Sequence, residues 1–519
     1  MPINLQRVYR NIHKVQQDFP VNELRLGGAD MWPLLRDVFV KPFVTCRSET
    51  YRKILKAPSH TDPLSLENAG ARGLRLLENP CLSQTDLGTV SLLESSESID
   101  SRVTPSDVRI LHFGIFRDNN EVVDQRIFNR VGDALIALHE HPESILKLMP
   151  LTTDAPFFQY HFRSMFYQDT HSWEVQPRVP DEGSFLSKLE ELFRFCSERG
   201  IEFYNSSGSI LLKCYQLLRT ADTVGRLIDY FEPESVYFSS YFNADRFGVV
   251  LAARRRGLPC VDVEHGYMGP YSPYGDLKFV PAEGSMLLPT HFWTWGPDST
   301  RFLEDSLPAD QSVHRPVCGG STWHHFLQRN PDAQCFDAEA EYRERCEAFE
   351  RNVLVALQPD MASHEGKPLL LPEHLLTVMQ EFSADVLWSI RLHPRSRHLF
   401  GRYHDLFASA GIGNYDLETA SLAPLHRLLE LSDRLLTSFS TVAFEANDLG
   451  MPVGILDTFG CEMTAPYREQ GAFQAVSDLH SLREFMRTAS APAKIIDYFT
   501  KEFASPQKAF ASIRGVCSN

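Results

Sequence analysis

The stretch that most constrains this chain runs from Ser432 to Asp457, SDRLLTSFSTVAFEANDLGMPVGILD. Arg434 to Thr437 reads as a short buried strand, and Ser438, Ser440 and Thr441 make a hydroxyl-rich turn. Val442 to Leu449 reads as a helix, stopped by Gly450-Met451-Pro452, and Val453-Gly454-Ile455-Leu456 restarts a strand. The unit places its turn at a strand's carboxyl end, beneath a helix N-terminus. Unpaired backbone N–H groups and the helix dipole both favour a phosphate at such a place.

Strands and helices alternate on either side of it. Val108 to Phe113 begins a first series, followed by a helix carrying Ile127, Val131, Ala134, Leu135 and Leu138 on one side. Helices over 184–199 and 209–231 come next, then a strand at 235–240, a helix at 245–256 and a strand at 259–263. Leu287 to Gly296 adds a strand-like piece, and the Pro and Gly residues between Pro308 and Pro331 suit an interdomain crossing. A second series holds strands at 352–358 and 386–392 and helices at 373–383, 403–410 and 423–431. This alternation predicts an α/β protein with parallel sheets covered on both faces. The division expected is a mainly helical extension over 1–105, a first Rossmann-like domain over 106–310, a second over 311–480, and C-terminal helices over 481–519 that pack back on the first. Ser83 to Ser106 reads as a linker.

Composition narrows the function classes. A formal net charge of −16 argues against a general nucleic-acid binder. The sequence has no apolar run long enough for a transmembrane helix, and its start lacks a signal-peptide core, so a cytoplasmic protein is expected. Ten scattered cysteines without a CxxC pair read as free thiols rather than as a zinc site or a disulfide frame. The P-loop, dinucleotide and nucleophile-elbow patterns are all missing.

Ligands of parallel sheets lie at the carboxyl ends of strands, and three turns fall there. His393-Pro394 ends one strand amid Arg391, Arg395 and Arg397, a cluster able to hold a phosphate; the plain alternative is a strand terminator in a solvated loop. Ser438, Ser440 and Thr441 suit either a phosphate or an ordinary helix cap, and Glu445, one turn on, suits ribose hydroxyls or solvent. Glu264-His265-Gly266 offers a carboxylate or an imidazole to take a proton, or a plain strand-end turn. Asp262 with Glu264 is a weak match to a metal motif, and no metal or other cofactor is expected.

The series VDVEHGYMGPYSPY, LPTHFWTWG, IRLHPRSR and SDRLLTSFSTVAFEANDLGMPV resembles bacterial GT-B glycosyltransferases of capsule and lipopolysaccharide synthesis. More narrowly it is similar to enzymes that use CMP-activated acidic sugars, namely sialyl-, polysialyl- and Kdo transferases. The resemblance covers roughly residues 230–480. It implies a metal-independent transfer from a nucleotide-sugar donor to a hydroxyl of a glycan or lipid-linked acceptor, at the inner-membrane surface or within an envelope-assembly complex. His393, Pro394 and one of Arg391 or Arg395 would hold the donor together with Ser438, Ser440, Thr441 and Glu445. Glu264 or His265 would be the base, with Gly266, Asp245 and Arg117 as acceptor-side or auxiliary residues. Such sialyltransferases have two carboxylates before the glycine where this chain has Glu-His, so the base stays open between the two. Polymerases that transfer glycerol phosphate from a CDP-linked donor share the outline, and a non-catalytic nucleotide-sugar binder is the remaining alternative.

Overall fold

The computed structural model describes residues 5–45, 74–78, 91–92, 105–114, 121–123, 126–150, 161, 164–169, 179–201, 205–242, 244–334, 336, 338–358, 370–488, 491–496, 499 and 505–515. Arg117 and most of the Ser83 to Ser106 linker lie outside these.

Two sheets organise the molecule. In the first, the strands lie in the order Arg315–Cys318, His291–Thr294, Cys260–Val263, Ser235–Ser239, Ile110–Phe113, Ile145–Pro150 and Ser164–Asp169, all parallel. Leu74–Glu78 and Ser91–Leu92 extend it antiparallel beyond Ser164–Asp169. The second sheet runs Tyr415–Asp416, Val386–Arg391, Arg351–Ala356, Arg434–Thr437, Val453–Ile455 and Gln474–Ala475, again parallel. Its central strands, Arg351–Ala356 and Arg434–Thr437, are buried along almost their whole length, as expected of a parallel sheet covered on both faces. Ranked along the chain, the parallel strands of each sheet open with the first of them in the middle, later ones adding to one side and then the other. Right-handed crossovers between parallel strands produce this doubly wound order. The two Rossmann-like domains make a GT-B fold.

The central unit matches its sequence closely: strand Arg434–Thr437, helix Val442–Asp448 and strand Val453–Ile455. Elsewhere two differences have physical causes. Arg315–Cys318 pairs in register with His291–Thr294, so the first sheet continues past residue 310. Pro316 reads as a breaker, but this strand is the sheet's edge, where proline is tolerated. Ile127 lies in a hairpin strand, Arg126–Phe128 paired with Glu121–Val123, and the helix is only Gly132–Leu138. Its anchor is Phe128, whose ring lies 4.6 Å from that of Phe326. The N-terminal extension has helices Leu5–Asp18 and Trp32–Thr45 joined through a small hairpin at Gly27 and Gly28, both at positive φ. Val8, Ile12, Trp32 and Leu35 of those helices are buried in the first domain's core.

The C-terminal segment spans both domains. Ile496 and Phe499 are buried with residues of the second domain and Trp295. Helix Pro506–Gly515 then returns to the first sheet, where Phe510 packs on Trp293 with ring centroids 4.9 Å apart. Phe510→Ala should lower stability by about 3–5 kcal/mol, the cost of emptying a buried phenyl site. Chemical denaturation at equilibrium would measure it, and a loss under about 1 kcal/mol would contradict the packing described.

Candidate functional site

A doubly wound sheet has one place where the strand order reverses, and a crevice opens there beyond the carboxyl ends. In the second domain it lies between Ala356 and Thr437, so the chain enters it at Ser438. Thr437 Oγ1 donates to the Ala356 carbonyl (2.8 Å), which ties the two strand ends together. Ser438 is buried and its hydroxyl donates to Asp457 Oδ2 (2.5 Å). Asp457 Oδ1 in turn caps the Thr458–Met463 helix by accepting the Gly460 N–H (2.6 Å). A Cβ on Gly460 would lie 2.2 Å from the Ser438 carbonyl oxygen, so the approach requires glycine. With its proton committed to Asp457, Ser438 shapes the turn, and the half-buried Ser440 and Thr441 are the hydroxyls left at its rim. Ser440 Oγ accepts the Val442 N–H (3.4 Å), and the Thr441 side chain makes no cap bond. Glu445 is buried one turn into the helix.

His393 follows strand Val386–Arg391, two strands over from Ser438, which at normal strand spacing puts the two turns roughly 10 Å apart. The half-buried His393 opens a short 3-10 segment, its carbonyl accepting the Ser396 N–H (2.7 Å); Pro394 is exposed, and Arg395 follows on the same segment. Arg391 Nη1 donates to the carbonyls of Ala420 (2.9 Å) and Ala423 (2.7 Å), and Arg397 Nη2 donates to that of Ser421 (2.9 Å). Both guanidinium groups therefore close the C-terminal end of the Glu418–Leu422 helix. The sequence did not show that duty.

On the first domain, Glu264 and His265 follow the Cys260–Val263 strand. Glu264 is fully buried, and its Oε2 accepts the Trp295 N–H (2.6 Å) and the Ser299 hydroxyl (2.9 Å). The carboxylate thus holds the turn that starts the Pro297–Ser306 helix. His265 is half-buried, with Nε2 2.8 Å from Ser240 Oγ at the end of the neighbouring strand. Ser240 is held at φ 60, a left-handed conformation uncommon outside glycine. Asp245 does not join this cluster; it is exposed, and its carboxylate accepts a bond from Gln216 (3.0 Å).

The two domains meet at these turns. A Cβ on Gly266 would lie 3.7 Å from Thr441 Cγ2. The next residue, Tyr267, stacks on Phe444 with centroids 5.3 Å apart and planes 19° from parallel, and meets Tyr467 edge-on. Turns from both domains, 175 residues apart in sequence between Gly266 and Thr441, thus border one space. Sequence reasoning missed Asp457, Ser240 and Ser299. Asp457 had a readable signal, an Asp three residues before Gly460 at a helix start. Ser240 and Ser299 had none, because their partners come from other strands.

Beneath this turn lies Asp262, buried with its Oδ2 accepting the Tyr274 hydroxyl (2.8 Å). Burial pushes its carboxyl up to about 7, opposed by the Tyr274 hydroxyl, the backbone N–H groups of Tyr241 and Ser240, and the charge of Arg246. The folded state therefore keeps a proton that the unfolded chain releases near pH 4, so this group's contribution to stability falls as pH rises from about 4 to about 7. Asp262→Asn removes the ionisation. Relative to the parent, the variant should gain stability with rising pH across that window, by at most about 1.4 kcal/mol per unit, and level off above it. Urea midpoints from pH 4 to 8 would measure it; a pH-independent difference would refute the assignment.

No protein-family model and no curated protein sequence matches the chain. Among solved structures it is similar to the MnaA–UDP co-structure from S. aureus, at 12% identity over 79% of this chain and 97% of that one, TM-score 0.47. It is also similar to UDP-GlcNAc 2-epimerase from Neisseria meningitidis bound to UDP-GlcNAc, at 15% identity over 79% and 99%, TM-score 0.44. A variant of the wall teichoic acid polymerase TagF matches at 12% identity over 80% and 89%, TM-score 0.42. The chain's own strand order carries the fold.

Proposed function

We propose that this protein is a glycosyltransferase that moves a sugar from a nucleotide donor to a hydroxyl of a bacterial surface glycan or glycolipid. The observation that carries the reading is the meeting of Gly266 with Thr441. It brings a proton acceptor at one strand end beside a phosphate-suited turn at the other domain's switch point.

The donor lies in the second domain. Its phosphate sits against His393 and the Ser440–Thr441 turn, with Glu445 toward the ribose, and these groups offset the charge that builds on the leaving phosphate. Arg395, on the same segment as His393, is assigned to the same ligand, while Arg391 secures the helix beside it. His265 takes the proton of the acceptor hydroxyl as its oxygen attacks the anomeric carbon and the nucleotide departs. The full burial of Glu264 and its bonds to the Trp295–Ser299 turn favour His265 over it for that task. Ser240 orients the imidazole. The order of the His-Pro and Ser/Thr motifs favours a CMP-linked acidic sugar as donor, acting without a metal. A lipid-linked acceptor would bring the protein to the inner-membrane surface.

A thermal-shift panel of CMP, CDP, UDP and GDP identifies the nucleotide; stabilisation by CMP above the others supports the acidic-sugar donor, and stabilisation by CDP favours a polyol-phosphate donor. His265→Ala should leave nucleotide affinity unchanged and cut turnover by about 100- to 10,000-fold. His393→Ala should abolish the nucleotide-dependent shift. Normal turnover by the His265 variant would overturn its role, and binding without turnover on any donor would leave only a nucleotide-sugar binder.

A further inference from the structure

The chain that leaves the Glu264–His265 turn travels from Tyr267 to Leu288 without a helix or strand. A run of turns this long holds one shape only if something outside it fixes the backbone. The first domain supplies part of this, through Tyr241, Asp262, Ser306 and Leu307, and the N-terminal extension supplies a second set of contacts. Arg36 is buried and donates through Nη2 to the Gly275 carbonyl (2.5 Å), with Nη1 3.4 Å from that of Pro273. Gln16 Nε2 donates to Asp276 Oδ2 (2.8 Å), and His13 Nδ1 lies 3.0 Å from the same oxygen. Asn22 Nδ2 donates to the Phe279 carbonyl (3.0 Å). Asp276 itself stands at φ 52, a conformation that persists in a non-glycine residue where its surroundings enforce it.

The same helix, Leu5–Asp18, borders the second domain. Its neighbour there is the Thr458–Met463 helix, whose Phe459 and Met463 pack against the first domain's core. Asp457, the cap of that helix, holds Ser438. One N-terminal helix therefore touches both segments from which the two facing turns are hung.

We propose that the N-terminal extension is an interdomain brace, in which Gln16 and Arg36 are positioning residues that fix the Tyr267–Leu288 segment and, through it, the placement of His265 and Gly266 against the second domain. Its effect on turnover rests on the transferase reading; its effect on the segment does not.

Hydrogen exchange read by mass spectrometry on the full chain separates the two. In the double variant His13→Ala/Gln16→Ala, and in Arg36→Met, exchange over residues 267–280 should quicken by about tenfold, as expected when one or two backbone-fixing hydrogen bonds are lost. Strands 351–356 and 434–437 should keep their parent rates, and Arg36→Lys, which retains a charged donor, should recover part of the protection. The nucleotide found in the thermal-shift panel should bind each variant as it binds the parent, while kcat falls with donor KM unchanged. Unaltered exchange over 267–280, or a rise shared equally by both sheets, would overturn the brace. If no donor is turned over by the parent protein, the transferase reading fails and the exchange pattern alone decides this proposal.

Discussion

Right-handed crossover between parallel strands is the constraint on which the rest of this structure depends. It has the parallel strands of each sheet begin in the middle and grow outward on both sides, and so open one crevice at the carboxyl edge. Two such sheets in one chain give two crevices. Because Tyr267 inserts its ring against Phe444 and Tyr467, the edges that carry them face each other. The chemistry proposed for the protein follows from that apposition more than from any single motif.

Several conspicuous polar side chains at these edges are committed to shape. Glu264 holds the start of a helix, Asp457 holds both Ser438 and another helix start, and Arg391 holds a helix end. Each is buried or half-buried, where an unpaired charge would cost far more than its bonds return. The Oε2 lone pairs of Glu264 are already engaged by two donors at a helix start. His265 differs in being half-buried, with its imidazole beside the Ser240 hydroxyl. Burial and bonding are the grounds on which the proposed function takes His265 over Glu264, two adjacent residues that sequence had left equal.

Much of the fold was legible because its signals are local. The Arg434–Thr437 strand, the Val442–Asp448 helix and the Gly450 stop are set by apolar runs and breakers within 25 residues. What escaped depended on partners distant in sequence. Pro316 could be a strand residue only because that strand is an edge, and Leu74–Glu78 is a strand because Ser164–Asp169 pairs with it. Sheet edges are properties of the assembled sheet, and no window of sequence contains them. The site divides the same way. His393, Ser440, Thr441 and His265 were visible as strand-end turns, whereas the capture of Arg391 by the Ala420 and Ala423 carbonyls required a helix 29 to 32 residues away.

The seam between the domains is aromatic. Tyr267 lies on Phe444, Trp295 on Phe499 with centroids 5.3 Å apart, and the His324 ring 4.6 Å from Phe499. Flat rings gain about 0.5–1.5 kcal/mol per pair beyond the area they bury, and they lose that gain gradually as the planes slide. Bidentate ion pairs at the same places would fix one geometry and resist any shear. A transferase must admit a nucleotide and an acceptor and then exclude water while the bond is exchanged. If the proposed transfer holds, an aromatic seam is compatible with edges that part and return, and the C-terminal segment, anchored by Phe499 on one side and Phe510 on the other, bridges the two sheets.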